Sequence, residues 1–439
     1  MRSLIAVSSL ILVLAASCAP CPEAPPPGCA TGGTGTIAVT STGLPAGVAA
    51  DITLTGPSVQ TVTGTRTLTG VGTGAWSVTA ERVTVPDPLV RTVYLPSVSP
   101  ATFCLTDGAT QDVTVTWTKV ATSNALWAIN GTAAGQFLGF RSSQLTSTSS
   151  QAASVVTRGP FGRDVAFDKD GNVWVIGPTT TDATLNRFPS SAFAASGMAT
   201  PDREINLTGS GCLPLATALA FDREGNLYVG SPCRDAVLRV DAAQLAASGD
   251  VTPALSIAVP DPGGLAFDAA GNLWVASKMD ERVWRFDAAQ LASGSVTTPA
   301  VKVGVRASAN PVDTSLYTPS WIAFDTRGDL WANDFGGNVF YRVGAASLSA
   351  TADVQPQVRI TLGVLALLEG FAFDGQGGLW SAGAMGTFVR LAPAQLDTSS
   401  GPGMPTMPEV TITSSDIGYV SNLAFYPAPA GLPLYHSLP

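Results

Sequence analysis

The sequence predicts an all-β chain with two folded parts, a small N-terminal β-sandwich and a six-bladed β-propeller of four-stranded blades. Three observations carry this. Five segments repeat one phrase: VAFDKDGNVWV from Val165, LAFDREGNLYV from Leu219, LAFDAAGNLWV from Leu265, IAFDTRGDLWA from Ile322 and FAFDGQGGLWS from Phe371. Their spacing, roughly 45–57 residues, is the period of units that bury their apolar faces only by stacking on one another. Half-copies at both ends of this region complete one another. Upstream, residues 36–120 lack the phrase but alternate apolar and polar residues in short runs between Gly/Pro turns.

The N-terminus supplies an address. Residues 1–17 read as an export signal: Arg2, then an apolar run from Leu4 to Ala16 that is too short to span a bilayer as a stable helix. Ala15-Ala16-Ser17-Cys18 resembles a bacterial lipoprotein box, in which Cys18 becomes the acylated first residue. Ala15 stands where that box usually has Leu. Ordinary signal cleavage and an uncleaved anchor are the other readings. Acylation would hold the protein at a membrane at about 0.8 kcal/mol per buried CH₂. Ala19 rather than Asp after the Cys implies, by the same resemblance, the outer membrane or cell surface; periplasmic or secreted protein is the alternative.

Residues 18–35 are rich in Pro, Gly and Thr, a tether. The sandwich follows over 36–120, and its phrase GTIAVTSTGLPAGVAADITLTGP resembles the Ig-like modules of PEGA and carboxypeptidase-regulatory type. That resemblance implies a spacer or adhesion role. Export places the cysteines in an oxidising compartment. Cys29–Cys104 would staple the sandwich. Cys212–Cys233 would join two loops on one face of a blade. Cys21 is left over if Cys18 is acylated and can pair with Cys18 if it is not.

Residues 121–439 make the propeller. In each copy Leu-Ala-Phe is one strand and Asn-Leu-Trp-Val the next, joined by an Asp-x-x-Gly-Asn hairpin in which Asp accepts backbone N–H groups and Gly takes positive φ. Turn capping is therefore the reading of Asp168, Asp222, Asp268, Asp325 and Asp374, against a ring of metal ligands. The hairpins are expected on the outer rim of each blade. A third strand leads into RVDAAQLAASG from Arg239 or RFDAAQLASG from Arg285, a short helical insert N-capped by Asp241 or Asp287, before a fourth strand. Asn124 to Leu145 carries the second half of the pattern without an AFD strand, and SNLAFYPAP carries an AFD-type strand alone. Joined, they make a sixth blade that closes the ring without an open sheet edge.

The phrase FDxxGNLWV resembles the NHL-repeat and SMP-30/gluconolactonase-like propellers, over about Asn124 to Tyr435. That superfamily holds lactonases, lyases and plain binding proteins, so the resemblance implies a fold rather than a chemistry. Its lactonases hold a divalent cation at the central mouth and carry an Arg-Pro-Asn-Asp phrase that does not occur here; its lyase relies on a His at the same place. The single histidine, His436, is the fourth residue from the C-terminal end. No Gly-x-Ser-x-Gly, Walker loop or His-Glu-x-x-His occurs.

Function is expected where copies differ, in the loops that converge on the mouth: Arg163, Asp164, Arg234, Asp235, Lys278, Asp280, Trp321, Asn333, Asp334, Glu369, Ser421 and Asn422. They are read as ligand-binding, with solvated or paired loop charges as the bland alternative. No metal or other cofactor is expected. The alternative is Ca²⁺ held by Asn333, Asp334 and Glu369 in a metal-dependent lactonase- or lyase-like enzyme. A net charge of −9, with only 13% charged residues, provides no basic stripe for nucleic acid. The expected protein is an exported, lipid-anchored, monomeric scaffold that binds a protein, glycan or small molecule.

Overall fold

The structure is a computed structural model that describes residues 28–85, 92–121, 125–130, 135–177, 184–208, 218–294, 296, 298–310, 312–363, 368–383, 386–418, 420–426, 428–429 and 432–434. Cys18, Cys21, Cys212 and His436 lie outside them. The chain divides into two compact units, Met1–Val85 with Val93–Val120, and a second that takes in Ala121–Pro439. No helix among the described residues is long and apolar enough to cross a membrane.

The first unit is two sheets, one of five strands and one of four. Thr34–Thr42 lies antiparallel to Arg66–Gly72 and parallel to Thr110–Ala121. Its inward positions Ile37 and Val39 meet Ile52, Leu54, Trp76 and Val115 in one core. Period-two alternation in the sequence is thus what separates core from solvent. A Cys29–Cys104 disulfide closes a 75-residue span. Such a bond persists in an oxidising compartment outside the cytoplasm.

The second unit is a six-bladed propeller. Each blade has four strands, in chain order from the axis outward in five of them, with inner strands Val165–Phe167, Ala218–Phe221, Pro262–Phe267, Pro319–Phe324 and Leu368–Phe373; the sixth has Val420–Tyr426 innermost. Each inner strand touches the next, and the last touches the first. In the sixth blade the C-terminal strand Val420–Tyr426 pairs antiparallel with Ala125–Asn130, so both ends of the region share one sheet.

The repeated aromatic residues explain why blades stack. The Trp or Tyr of one blade's second strand meets the Phe of the next blade's inner strand edge-to-face at every interface: Trp127–Phe167, Trp174–Phe221, Tyr228–Phe267, Trp274–Phe324, Trp331–Phe373 and Trp380–Phe425. The aspartates between them cap the hairpin. Asp268 Oδ1 accepts the N–H groups of Ala270 and Asn272, and its Oδ2 accepts the Trp274 indole N–H at 2.9 Å. Asp325 and Asp374 repeat this with Trp331 and Trp380. These hairpins join the innermost strand to its neighbour. They sit at one end of the blade near the axis, which corrects the outer-rim expectation: the turn closes strands one and two, not three and four.

The inserts do more than connect. Gln290 closes a capping box on Asp287, and Asn272 Oδ1 accepts the Ala288 N–H. Past four of the inserts the chain pairs with the outer strand of the preceding blade. Gly197–Met198 runs parallel to Thr157–Arg158, Gly249–Val251 to Ile205–Leu207, and Ala352–Val354 to Val303–Val305. Ser149–Ser150 does the same to Ile412–Thr413, across the junction of chain ends.

Candidate functional site

The mouth lies at the end of the inner strands opposite the hairpins. The residues just before the repeated triplets form its rim: Asp164, Ala218, Gly264, Trp321, Gly370 and Asn422. The strands approach closely here. A Cβ at Gly264 would stand 2.8 Å from the Ile322 nitrogen, and one at Gly370 would run into the Asn422 side chain.

Asp164 is 1% exposed. Its Oδ1 accepts the Val165 N–H at 2.7 Å and the Asn422 amide, and its Oδ2 accepts the Leu219 N–H at 2.5 Å. One carboxyl thus ties the inner strands of the first, second and sixth blades. Burial pushes its pKa up to about 7, against the pull of these three donors. The native state therefore keeps a proton that the unfolded chain releases near pH 4. Stability from this group is present in acid and falls as pH rises towards about 7, by on the order of 4 kcal/mol. Asp164→Asn should remove that part of the slope. Denaturant unfolding at pH 4.5 and 7.5 measures it, and an unchanged slope in the variant would contradict the assignment.

Four of the remaining predicted residues, Lys278, Asp280, Asn333 and Asp334, have partners within the fold. Arg163 and Arg234 are exposed. Lys278 pairs with Asp261 at 3.3 Å and lies 5.1 Å from the ring centre of Phe335. Asp280 accepts the Trp284 indole N–H at 2.7 Å and pairs with Lys302 and Arg282, so it is spent within its own blade. Asn333, fully buried, accepts the Trp321 N–H at 2.7 Å. Asp334 accepts the Thr318 N–H at 2.9 Å, and burial raises its pKa. Successive strand residues point to opposite faces, so Asn333 and Asp334 do not share a cavity. Glu369 belongs to the inner strand of the fifth blade; its side chain lies outside the described residues. Among the described residues no three His, Cys, Asp or Glu gather at metal-binding spacing. Cys233 is disulfide-bonded.

Sequence reasoning missed two things. Met279 and Phe335, 73% and 61% exposed, put apolar surface on the mouth-side loops next to Lys278. Large apolar residues in otherwise polar loops were the available signal. The other is the axis itself, a cavity of about 150 Å³ walled by the repeated triplets. Asp164, Trp321 and Asn422 line it at the mouth, and Pro429, Leu432, Pro433 and Leu434 of the C-terminal tail also line it.

No family model matches the sequence, and no curated protein matches it. Among solved structures, the virginiamycin B lyase of Staphylococcus aureus, in a catalytically inactive form with quinupristin, is 13% identical, with 62% of this chain and 72% of that one covered and a TM-score of 0.37. A protein of unknown function from Bacteroides caccae is 12% identical, with 69% and 99% covered and a TM-score of 0.45. The hydrazine synthase of Kuenenia stuttgartiensis is 15% identical, with 55% and 69% covered and a TM-score of 0.37. Overlaps of this size say nothing about chemistry; the blade pairing above stands by itself.

Proposed function

We propose that the chain is an exported, lipid-anchored bacterial surface protein, and that its propeller is a binding scaffold of the NHL-like kind rather than a hydrolase. The observation that supports this best is how the polar groups of the mouth are used. Asp164, Asn333, Asp334 and Asn422 spend oxygens on backbone N–H groups. A metal-dependent hydrolase needs several such oxygens turned to one cation that polarises a carbonyl. What the mouth-side loops do offer is Arg163, Arg234, Met279 and Phe335 to a partner. The Ig-like module and the Pro/Gly-rich stretch before it would hold the propeller away from its anchor.

Two measurements test this. Cys18→Ser should move the protein from the membrane fraction to the periplasm or medium and abolish palmitate labelling. Unchanged fractionation would remove the anchor from the proposal. Metal analysis of the purified protein, with a screen of lactones and esters, addresses the scaffold. One tightly bound Ca²⁺ per chain together with turnover would replace it by the lactonase- or lyase-like reading.

A further inference from the structure

The strand ladders fix which backbone groups edge the axis. In an antiparallel pair, residues that exchange hydrogen bonds alternate with residues that do not, and the latter turn N–H and C=O to the far side. The bonds from the Asp268 N–H to Asn272, Asp325 to Asp329 and Asp374 to Gly378 set the phase at each hairpin. Counting back from them, Leu265, Ile322 and Phe371 stand opposite Val275, Ala332 and Ser381 without bonding to them. Their N–H and C=O groups therefore face the axial cavity, which all three residues line. Val165, Leu219 and Leu423 hold the same place in the other blades, and their N–H groups are taken. Asp164 accepts the first two and Asn422 the third.

The third, fourth and fifth blades differ at the rim. Gly264, Trp321 and Gly370 stand there and carry no side-chain oxygen. Among the described residues the N–H groups of Leu265, Ile322 and Phe371 have no partner. A backbone group left in a cavity calls for one. Each extended residue offers its donor and its acceptor side by side, so the matching group is planar and carries an acceptor beside a donor. A neutral carboxamide has that pattern, and Asn422 already brings one to Leu423. A carboxylate would set its charge against the C=O groups and give them no donor. The cavity, about 150 Å³, has room for such a group. We propose that the axial end of the mouth binds a small molecule through a neutral carboxamide, held by the backbone edges of Leu265, Ile322 and Phe371. This deepens the scaffold reading by naming a ligand class for the same mouth.

Acetamide is the probe, titrated into the whole chain and followed by NMR of the backbone amides. The amide signals of Leu265, Ile322 and Phe371 should shift saturably, and those of Val165, Leu219 and Leu423 should stay in place. N,N-dimethylacetamide, which has no N–H to give, should leave all six unmoved. Gly264→Asp sets a carboxyl just before Leu265 and beside the Ile322 nitrogen, as Asp164 stands before Val165. That variant should lose the acetamide shifts. Absence of saturable shifts at the three wild-type amides overturns the proposal, and so do equal shifts at all six or with the dimethyl compound. A folded Gly264→Asp protein that responds as wild type does overturns it too. Should Gly264→Asp not fold, the wild-type amides still decide. Failure here leaves the scaffold reading standing, since metal analysis and the substrate screen test that separately.

Discussion

Deleting Val420–Pro439 should yield a protein that aggregates, or that unfolds without a cooperative transition. The strand it removes pairs with Ala125–Asn130 from Ala125↔Tyr426 to Asn130↔Val420. Those six residues, all buried, would become the rim of an open sheet, ready to pair with another chain. Val420, Leu423 and Phe425 are each under 5% exposed. At about 1.5–3 kcal/mol per buried side chain, their loss alone rivals the net stability of a typical domain, about 5–15 kcal/mol. Trp380 would lose its Phe425 partner and Asp164 its Asn422 donor. Light scattering and calorimetry decide the matter. A monomer with wild-type Tm would mean that the ring does not depend on this seam.

Trp331→Ala should cost about 3–5 kcal/mol, the range for emptying a buried aromatic site. Trp331 is fully buried, meets Phe373 at 6.2 Å, gives its indole N–H to Asp325 and lies beneath Arg342. The change removes one contact across a blade interface and two within the blade, and leaves a mostly buried carboxylate short of a donor. Trp331→Phe, which keeps an aromatic ring against Phe373, should recover part of the loss. Denaturant unfolding of both variants gives the numbers. A loss below about 1 kcal/mol in Trp331→Ala would show that the blades stack without this pair.

The blade count was legible because one aromatic residue does two jobs. A Trp that must face the next blade's Phe and also reach its own hairpin Asp cannot drift in position, so the phrase stays recognisable from Val165 to Phe371. The inserts were legible for a similar reason: Asp287 and Gln290 satisfy each other's backbone. The returning strands were not. Ser149–Ser150 and Gly197–Met198 are two residues each, too short for any alternation, and another blade determines their pairing. The partners of the mouth residues were hidden for the same physical reason. Asn333 looks like an unused polar group on a strand, but its partner is the Trp321 backbone, which only the closed sheet brings within reach. Asp280 likewise looks like a loop charge until Trp284 and Lys302 are seen around it.

The shared sixth blade also decides how the ring answers to force. A protein held by its N-terminus feels tension where the chain enters the propeller, at Ala125–Asn130. That strand is flanked on one side by Val420–Tyr426 and on the other by Gln136–Phe140. Pulled along its own axis, it must shear two antiparallel ladders at once, because their hydrogen bonds run perpendicular to the strand. An edge strand in the same place would have one ladder to shear. Entering at the second position of the sheet sets the point of attachment between two ladders and away from an open edge.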